Sequence, residues 1–377
     1  MTLTKTASYG TVLISAATIA FLVSPWGIAW MESLGPLRMV VPVVIAVILS
    51  LAFDYVNGFH DTANACATIV HSGVLSPSWA IGISATANFL GALLIGTTVA
   101  LFITGVVPIP LVTMPLLLSV LIAGLIWNLL TYFKGLPVSS THCLIGSLVG
   151  AGLAAGGTAG VTWWALGKAL IGLVLWPIAG LTVALLVGWI AGKMVPHDED
   201  NEEAEETWKN KIMPWVQVGS SAALSFSHGS NDGQKTMGII TLILATQLPT
   251  LGYTTAAIPL WVMVSAAFAM FLGTAVGGYK VMETVGKKIS HKAMTPTHGA
   301  SAELTTAATV FTASWLGFPA STTHVLTSAV FGATCSLHGK KHANMSTFSS
   351  VLKAWVLTMP VAAIMAALLY QVFSRVM

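Results

Sequence analysis

Charge is what this chain lacks. Asp, Glu, Lys and Arg make up 8% of its 377 residues, where a soluble domain carries about 25%. Hydrophobic residues fill the gap at 55%, and mean hydropathy is +0.83. So little charge cannot cover a water-facing surface, and the long apolar runs mark a multi-pass membrane protein in a lipid bilayer. The net charge of +3 is too small for a nucleic-acid partner, so none is expected. Cysteine is nearly missing too. Cys66, Cys143 and Cys335 sit in apolar surroundings with neither metal nor disulfide spacing. There is no HExxH run and no close run of three ligands, so no fixed metal is expected.

The apolar runs predict an all-α polytopic fold of roughly ten transmembrane segments. Thr11–Met31 reads as an uncleaved anchor helix within residues 1–37. Residues 38–195 form a first unit and 212–377 a second. Between them, 196–211 form an acidic hydrophilic linker that holds seven of the 13 acidic residues. Trp79–Thr104, Leu111–Phe133, Trp164–Met194, Leu260–Tyr279 and Val351–Phe373 read as spans. Pro137–Ala155 and Pro319–Ala333 are too interrupted and read as re-entrant segments. Lysines 280, 287, 288, 292, 340 and 341 cluster in loops, which places those loops on the cytoplasmic side.

What the chain does have, it has twice. The run NGFHDTANA around Asp61 is echoed by SHGSNDGQK around Asp232. The run GLPVSSTH from Gly135 is echoed by GFPASTTH from Gly317. The two Asp lie about 171 positions apart (232 − 61), and Ser139 and Ser321 about 182 (321 − 139). A polar motif duplicated inside hydrophobic sequence is the pattern of a transporter built from internal repeats.

An intramembrane charge costs several kcal/mol unless paired or solvated. Those that remain here are Asp54, Asp61, Asp232, Glu303 and Lys235, with Lys168 near an interface. Gly58 and Gly229 predict a helix break beside each Asp, so that Asp61–Val70 and Asp232–Ala245 become half-helices. Carboxylates with freed carbonyls bind a cation or a proton; free N–H groups bind an anion. Pro137 and Pro319 force non-helical entries, after which Ser139, Ser140 and Thr141, and Ser321, Thr322 and Thr323, cap helix starts. Two such donor sets facing each other would enclose a tetrahedral oxyanion. Lys235, one turn after Asp232, either neutralises that Asp or helps hold the anion. His60 and His228 lie near the Asp pair, and His142 and His324 occupy matching positions; each is a candidate for proton exchange or for packing. Glu303 either bonds a polar neighbour or joins a cation site. Asn64, Asn88 and Asn128 are further candidate polar linings.

These four motifs, in this order and spacing, resemble the duplicated signatures of the inorganic phosphate transporter (PiT) family, over roughly Val40 to the C-terminus. The resemblance implies a secondary transporter with two inverted repeats and a site at their interface. Its substrate would be inorganic phosphate, carried with a coupling cation, and its place a cell inner membrane, as a homodimer. The family pattern Gly-x-Asn-Asp fits Gly229–Asp232. The first copy has His60 in place of Asn, a form that resembles the bacterial branch, associated with proton coupling and neutral metal–phosphate complexes.

The reading is therefore a transporter, not an enzyme, and without a resident cofactor. Ser139, Ser140, Thr141, Ser321, Thr322, Thr323 and Lys235 are expected to hold phosphate. Asp61, Asp232, His60, Asn231, Asn64 and Glu303 are expected to serve the co-transported proton or cation. Mg²⁺ or another divalent ion could travel with the phosphate. The rivals are sodium coupling, a sulfate carrier, a passive channel, and an intramembrane metal-dependent hydrolase using His60, Asp61, His228 and Asp232. Sulfate cannot donate a proton at neutral pH, so a carboxylate-rich site favours phosphate.

Overall fold

The computed structural model describes residues 37–194 and 211–377, apart from the side chains at 37–39, 63–65, 279 and 280. The expected anchor Thr11–Met31 and the acidic stretch Asp198–Glu206 lie outside the described residues, as do the side chains of Asn64 and Lys280. The named elements among the described residues are all helical. They are α1 (Leu37–His71), α2 (Pro77–Leu94), α3 (Thr98–Thr104), α4 (Met114–Phe133), α5 (Ser140–Gly156), α6 (Trp163–Met194), α7 (Met213–Gln247), α8 (Leu260–Val276), α9 (Tyr279–Glu283), α10 (Pro296–Trp315), α11 (Thr322–His338) and α12 (Met345–Val376).

The last six helices repeat the first six in order and size. α1 and α7 both have 35 residues, α4 and α10 both 20, α5 and α11 both 17, and α6 and α12 both 32. The second span of each repeat is bent. α2 and α3 meet at 72°, and α8 meets the segment Val281–Lys288 at 70°. The chain thus folds as two inverted repeats with broken spans. Five helices are long and apolar enough to cross a bilayer, or seven when each bent pair is one span. α7, α10 and α11 carry more polar residues and fall outside that set.

The repeats clasp each other. α6 of the first packs on α11 of the second, and α12 of the second packs on α5 of the first. The buried stripe of α6 is Ala165, Ala169, Gly172, Trp176, Gly180, Ala184 and Gly188, and that of α12 is Val351, Trp355, Thr358, Ala362 and Ala366. Spacings of three and four with mostly small residues let helix backbones approach closely, as helix pairs in lipid require. The outward faces of both helices are large and apolar, for example Trp164, Ile171 and Val174, and Val356, Ile364 and Leu368. Serines, threonines and the intramembrane charges are buried instead. Polar inside and apolar outside is the arrangement a bilayer imposes.

The helix breaks expected at Gly58 and Gly229 are not there. α1 and α7 run unbroken through both positions, so Asp61 and Asp232 lie inside helices. The glycines serve contact rather than bending. A Cβ on Gly58 would meet the Met270 carbonyl on α8, and one on Gly229 the Asn88 carbonyl on α2. The breaks lie one span later, at Ile95–Thr97 and at Gly277–Gly278, where Gly96 and Gly277 take positive φ.

Candidate substrate and cation site

The free helix ends that the sequence promised belong to α5 and α11. Each follows an extended segment, and each is capped by the first hydroxyl of its run. Ser139 Oγ accepts from the His142 N–H at 3.2 Å, and Ser321 Oγ from the His324 N–H at 3.2 Å. The backbone ladders begin with Cys143 N–H to Ser139 O and Val325 N–H to Ser321 O. The N–H groups of Ser140, Thr141, Thr322 and Thr323 therefore precede the ladder. The two helix starts are neighbours. Thr141 Oγ1 donates to Ala320 O at 3.0 Å, and the His142 and His324 rings lie 4.3 Å apart. Two positive helix ends thus converge with their hydroxyls, an arrangement that favours an anion.

His142 and His324 form the floor of this region. His324 stacks on Trp355 with centroids 3.8 Å apart, and Trp355 Nε1 donates to Pro137 O at 3.0 Å. This pair packs behind the hydroxyl runs and holds the two loops in register. Asn231 does similar work. Its Nδ2 donates to Ser314 Oγ at 2.9 Å and to Phe318 O at 3.2 Å, and its Oδ1 accepts from the Ala320 N–H at 3.1 Å. Both ends of the amide are used on the loop before α11, so Asn231 positions the second hydroxyl run.

Each Asp meets the hydroxyls of the other repeat. Thr323 Oγ1 donates to Asp61 Oδ1 at 3.2 Å, and Ser140 Oγ donates to Asp232 Oδ2 at 3.4 Å. Lys235 Nζ donates to Asp232 Oδ2 at 2.6 Å, to Ser140 Oγ at 2.7 Å and to Thr141 Oγ1 at 3.0 Å. Lys235 thus pairs Asp232 and touches the first hydroxyl run at once. His60 Nδ1 lies 3.1 Å from Asp61 Oδ1.

His228 joins the two halves. Its Nε2 lies 3.6 Å from Asp61 Oδ2 and 3.4 Å from Asp232 Oδ2, with all three side chains buried. Its Nδ1 lies 2.9 Å from Asn88 Oδ1, and Asn88 Nδ2 donates to Thr274 Oγ1 at 3.2 Å. One ligand atom from each of Asp61, His228 and Asp232 lies within 4.8 Å of the others, a group able to hold a cation. In the sequence these residues come together only in the hydrolase rival, because they lie on two helices and only His228 and Asp232 are near each other along the chain. His228 was visible as a histidine near an Asp, but its central place was not.

Glu303 is placed apart, among α1, α7 and α10. Its Oε1 accepts from Thr68 Oγ1 at 2.5 Å and from Gln217 Nε2 at 3.2 Å, and its Oε2 accepts from Ser220 Oγ. The expectation of polar neighbours is met. Asn128 is a buried residue of α4, and its side-chain atoms have no hydrogen-bond partner among the described residues. Gln234, which sequence reasoning passed over, ties α7 to the first bend. Its Oε1 accepts from the Val99 and Ala100 N–H groups at 2.8 and 3.2 Å, and its Nε2 donates to Ile95 O at 3.0 Å.

Comparison with known proteins matches residues 57–366 to the phosphate transporter family. The chain belongs to this family. It is 39% identical to a probable low-affinity inorganic phosphate transporter of Bacillus subtilis (strain 168), over 88% of this chain and 97% of that one. It is 37% identical to a protein of the same description from Rhizobium meliloti (strain 1021), over 87% and 96%. Among solved structures it matches one described as the sodium-dependent phosphate transporter, with TM-score 0.78 and 26% identity, over 89% of this chain and 100% of that one. The family of transporters, rather than an enzyme, accounts for the duplicated site, and the hydrolase reading is dropped.

Proposed function

We propose that this protein imports inorganic phosphate across the cell inner membrane, driven by a co-transported proton. The observation that carries the reading is the crossed pairing of each Asp with the hydroxyl run of the opposite repeat. A site made in this way is complete only while the two repeats are together. Phosphate, as HPO₄²⁻, would be held by Ser140, Thr141, Thr322 and Thr323 with the converging ends of α5 and α11. Ser139 and Ser321 would shape those ends as caps. Protonated phosphate also donates, and Asp61 and Asp232 supply the acceptors.

The coupling proton belongs, in this reading, at the junction of Asp61, His228 and Asp232, with His60 alongside. The same junction has the donor set for Na⁺ or for a divalent cation carried as a metal–phosphate complex. Asn64 and Glu303 are assigned to the cation path as further lining. When substrate and cation neutralise one another, the loaded site can move between the two faces of the membrane at lower electrostatic cost. The test is phosphate uptake into proteoliposomes with proton and sodium gradients imposed separately. Uptake driven by the proton gradient alone is expected; uptake driven only by sodium would reassign the cation, and uptake without any gradient would reduce the protein to a channel.

A further inference from the structure

The two halves of the site differ at one position. Asp61, Ser140 and Thr141 have Asp232, Thr322 and Thr323 as their counterparts in the other repeat. Lys235 has none. The residue at its position in the first repeat, 171 places earlier, is Asn64. Lys235 is fully buried. Its ammonium is surrounded by three oxygens, of Asp232, Ser140 and Thr141, at 2.6 to 3.0 Å. One carboxylate and two hydroxyls are the ligands a monovalent cation would choose in the same place.

In the matching place, Asp61 Oδ1 accepts from Thr323 Oγ1, and Thr322 Oγ1 is buried without a hydrogen-bond partner among the described residues. Ser140, the counterpart of Thr322, is the hydroxyl that takes the shortest of the two hydroxyl bonds from Lys235. A buried hydroxyl without a partner costs free energy, so a cation bound beside Thr322 would gain an acceptor already desolvated.

We propose that Lys235 is a tethered cation. It fills the cation position of Asp232 and the first hydroxyl run permanently, and only the matching position at Asp61, Thr322 and Thr323 takes a diffusible cation. This rests on the cation-coupled reading above and adds its stoichiometry. The ammonium offsets part of the phosphate charge in every cycle but never leaves. The protein therefore carries one cation fewer per phosphate than a site with two exchangeable positions. The same arrangement explains why a costly buried lysine sits in the anion site without having to bind the anion directly.

The experiment uses the full chain in proteoliposomes, with radioactive phosphate uptake and the charge moved per phosphate measured from reversal potentials. In the parent, the uptake rate is expected to be first order in the coupling cation. In Lys235→Asn, uptake should fall at low salt and return when Na⁺ or Li⁺ is added, with second-order cation dependence. The charge carried per phosphate should rise by about one elementary charge. Three results would overturn the proposal: second-order dependence in the parent; an unchanged order and charge ratio in Lys235→Asn; or phosphate binding by Lys235→Asn that is lost and not restored by Na⁺, Li⁺, K⁺ or Mg²⁺, which would make the lysine a phosphate ligand. The measurement on the parent decides the matter even where the variant does not fold. A parent that takes up no phosphate under any gradient would overturn the transport reading itself, and this proposal with it.

Discussion

His228 Nε2 lies 3.6 Å from Asp61 Oδ2, on the opposite repeat. The chain of bonds behind the ring decides what this contact means. Asn88 uses its NH₂ group on Thr274, so it offers its oxygen to His228 Nδ1, which must then carry the hydrogen. In a neutral ring the Nε2 lone pair would face two carboxylates. That arrangement is repulsive until a proton or a cation lies between them. A positive charge at this junction would relieve that repulsion, which is why the coupling cation is proposed to sit there.

Replacing His228 by Asn, the residue at the matching position 57, should leave the protein folded but weaken coupled uptake. A charge-assisted hydrogen bond is worth about 1.5–3 kcal/mol, so the apparent constant for the driving cation should rise roughly tenfold or more. Initial phosphate uptake against cation concentration checks this. An unchanged constant would remove His228 from the coupling site.

Asp61→Asn and Asp232→Asn should each abolish coupled uptake, but they should not cost the same stability. Asp61 is partnered by His60, His228 and Thr323, none of which carries an obligatory charge. Asp232 is the carboxylate partner of Lys235 at 2.6 Å. Removing it strands a buried ammonium, a loss of about 3–5 kcal/mol. Thermal unfolding in detergent should rank Asp232→Asn well below Asp61→Asn, and Lys235→Met added to Asp232→Asn should recover part of the difference. Equal melting temperatures for the two single variants would contradict the pairing.

The sequence made the apolar spans, both capped helix starts and the Asp pair legible, because each rests on a local signal: apolar length, Pro before Ser, and repetition. The unbroken α1 and α7 were not legible. A glycine in an apolar run reads alike whether it bends a helix or admits a neighbour, and only the neighbours Met270 and Asn88 settle which. The true bends were hidden for the same reason, since nothing in Ile95–Thr97 outweighs the apolar run around it. The link from His228 to Asp61 and the partners of Glu303 depend on contacts between residues 83 to 235 positions apart, such as Glu303 with Ser220 and with Thr68. No spacing rule reaches that far.

Gly58→Ala and Gly229→Ala should destabilise the fold through packing alone. Each new Cβ meets a backbone carbonyl on the facing helix, which cannot swing aside as a side chain would. Overpacking of this kind costs about 1–3 kcal/mol. Both variants should lower the melting temperature by comparable amounts, given their matching places in the two repeats. A loss of uptake at unchanged melting temperature would point back to a hinge at these glycines.

The two hydroxyl runs should separate cap from ligand. Ser139→Ala and Ser321→Ala each remove an N-cap, worth about 1 kcal/mol of stability. Thr322→Ala removes a hydroxyl with no partner among the described residues, so its stability cost should be under about 1 kcal/mol. Its effect should fall on transport instead, with a roughly tenfold weaker apparent affinity if one hydrogen bond to the bound state is lost. Triple replacement of Ser139, Ser140 and Thr141, or of Ser321, Thr322 and Thr323, should weaken phosphate binding more than it alters cation dependence. Phosphate titrations that match the parent in both triple variants would place the anion elsewhere.

His60 gives the last prediction. Its Nδ1 faces Asp61 Oδ1 at 3.1 Å, and its Nε2 is buried without a hydrogen-bond partner among the described residues. At the matching position stands Asn231, whose amide is fully engaged by the loop before α11. An Asn at position 60 would keep a polar neighbour for Asp61 but could not gain a proton. An imidazole has a second ring nitrogen that can carry one. In the parent, acid outside should therefore promote uptake by neutralising the Asp61 side of the junction, and alkali should suppress it. His60→Asn should retain phosphate binding and show a flatter profile, with Na⁺ able to stimulate what the proton no longer does. The comparison is initial uptake from about pH 5.5 to 8, with and without sodium, in parent and variant. An identical profile in both would make His60 a packing residue and leave proton coupling to Asp61, His228 and Asp232.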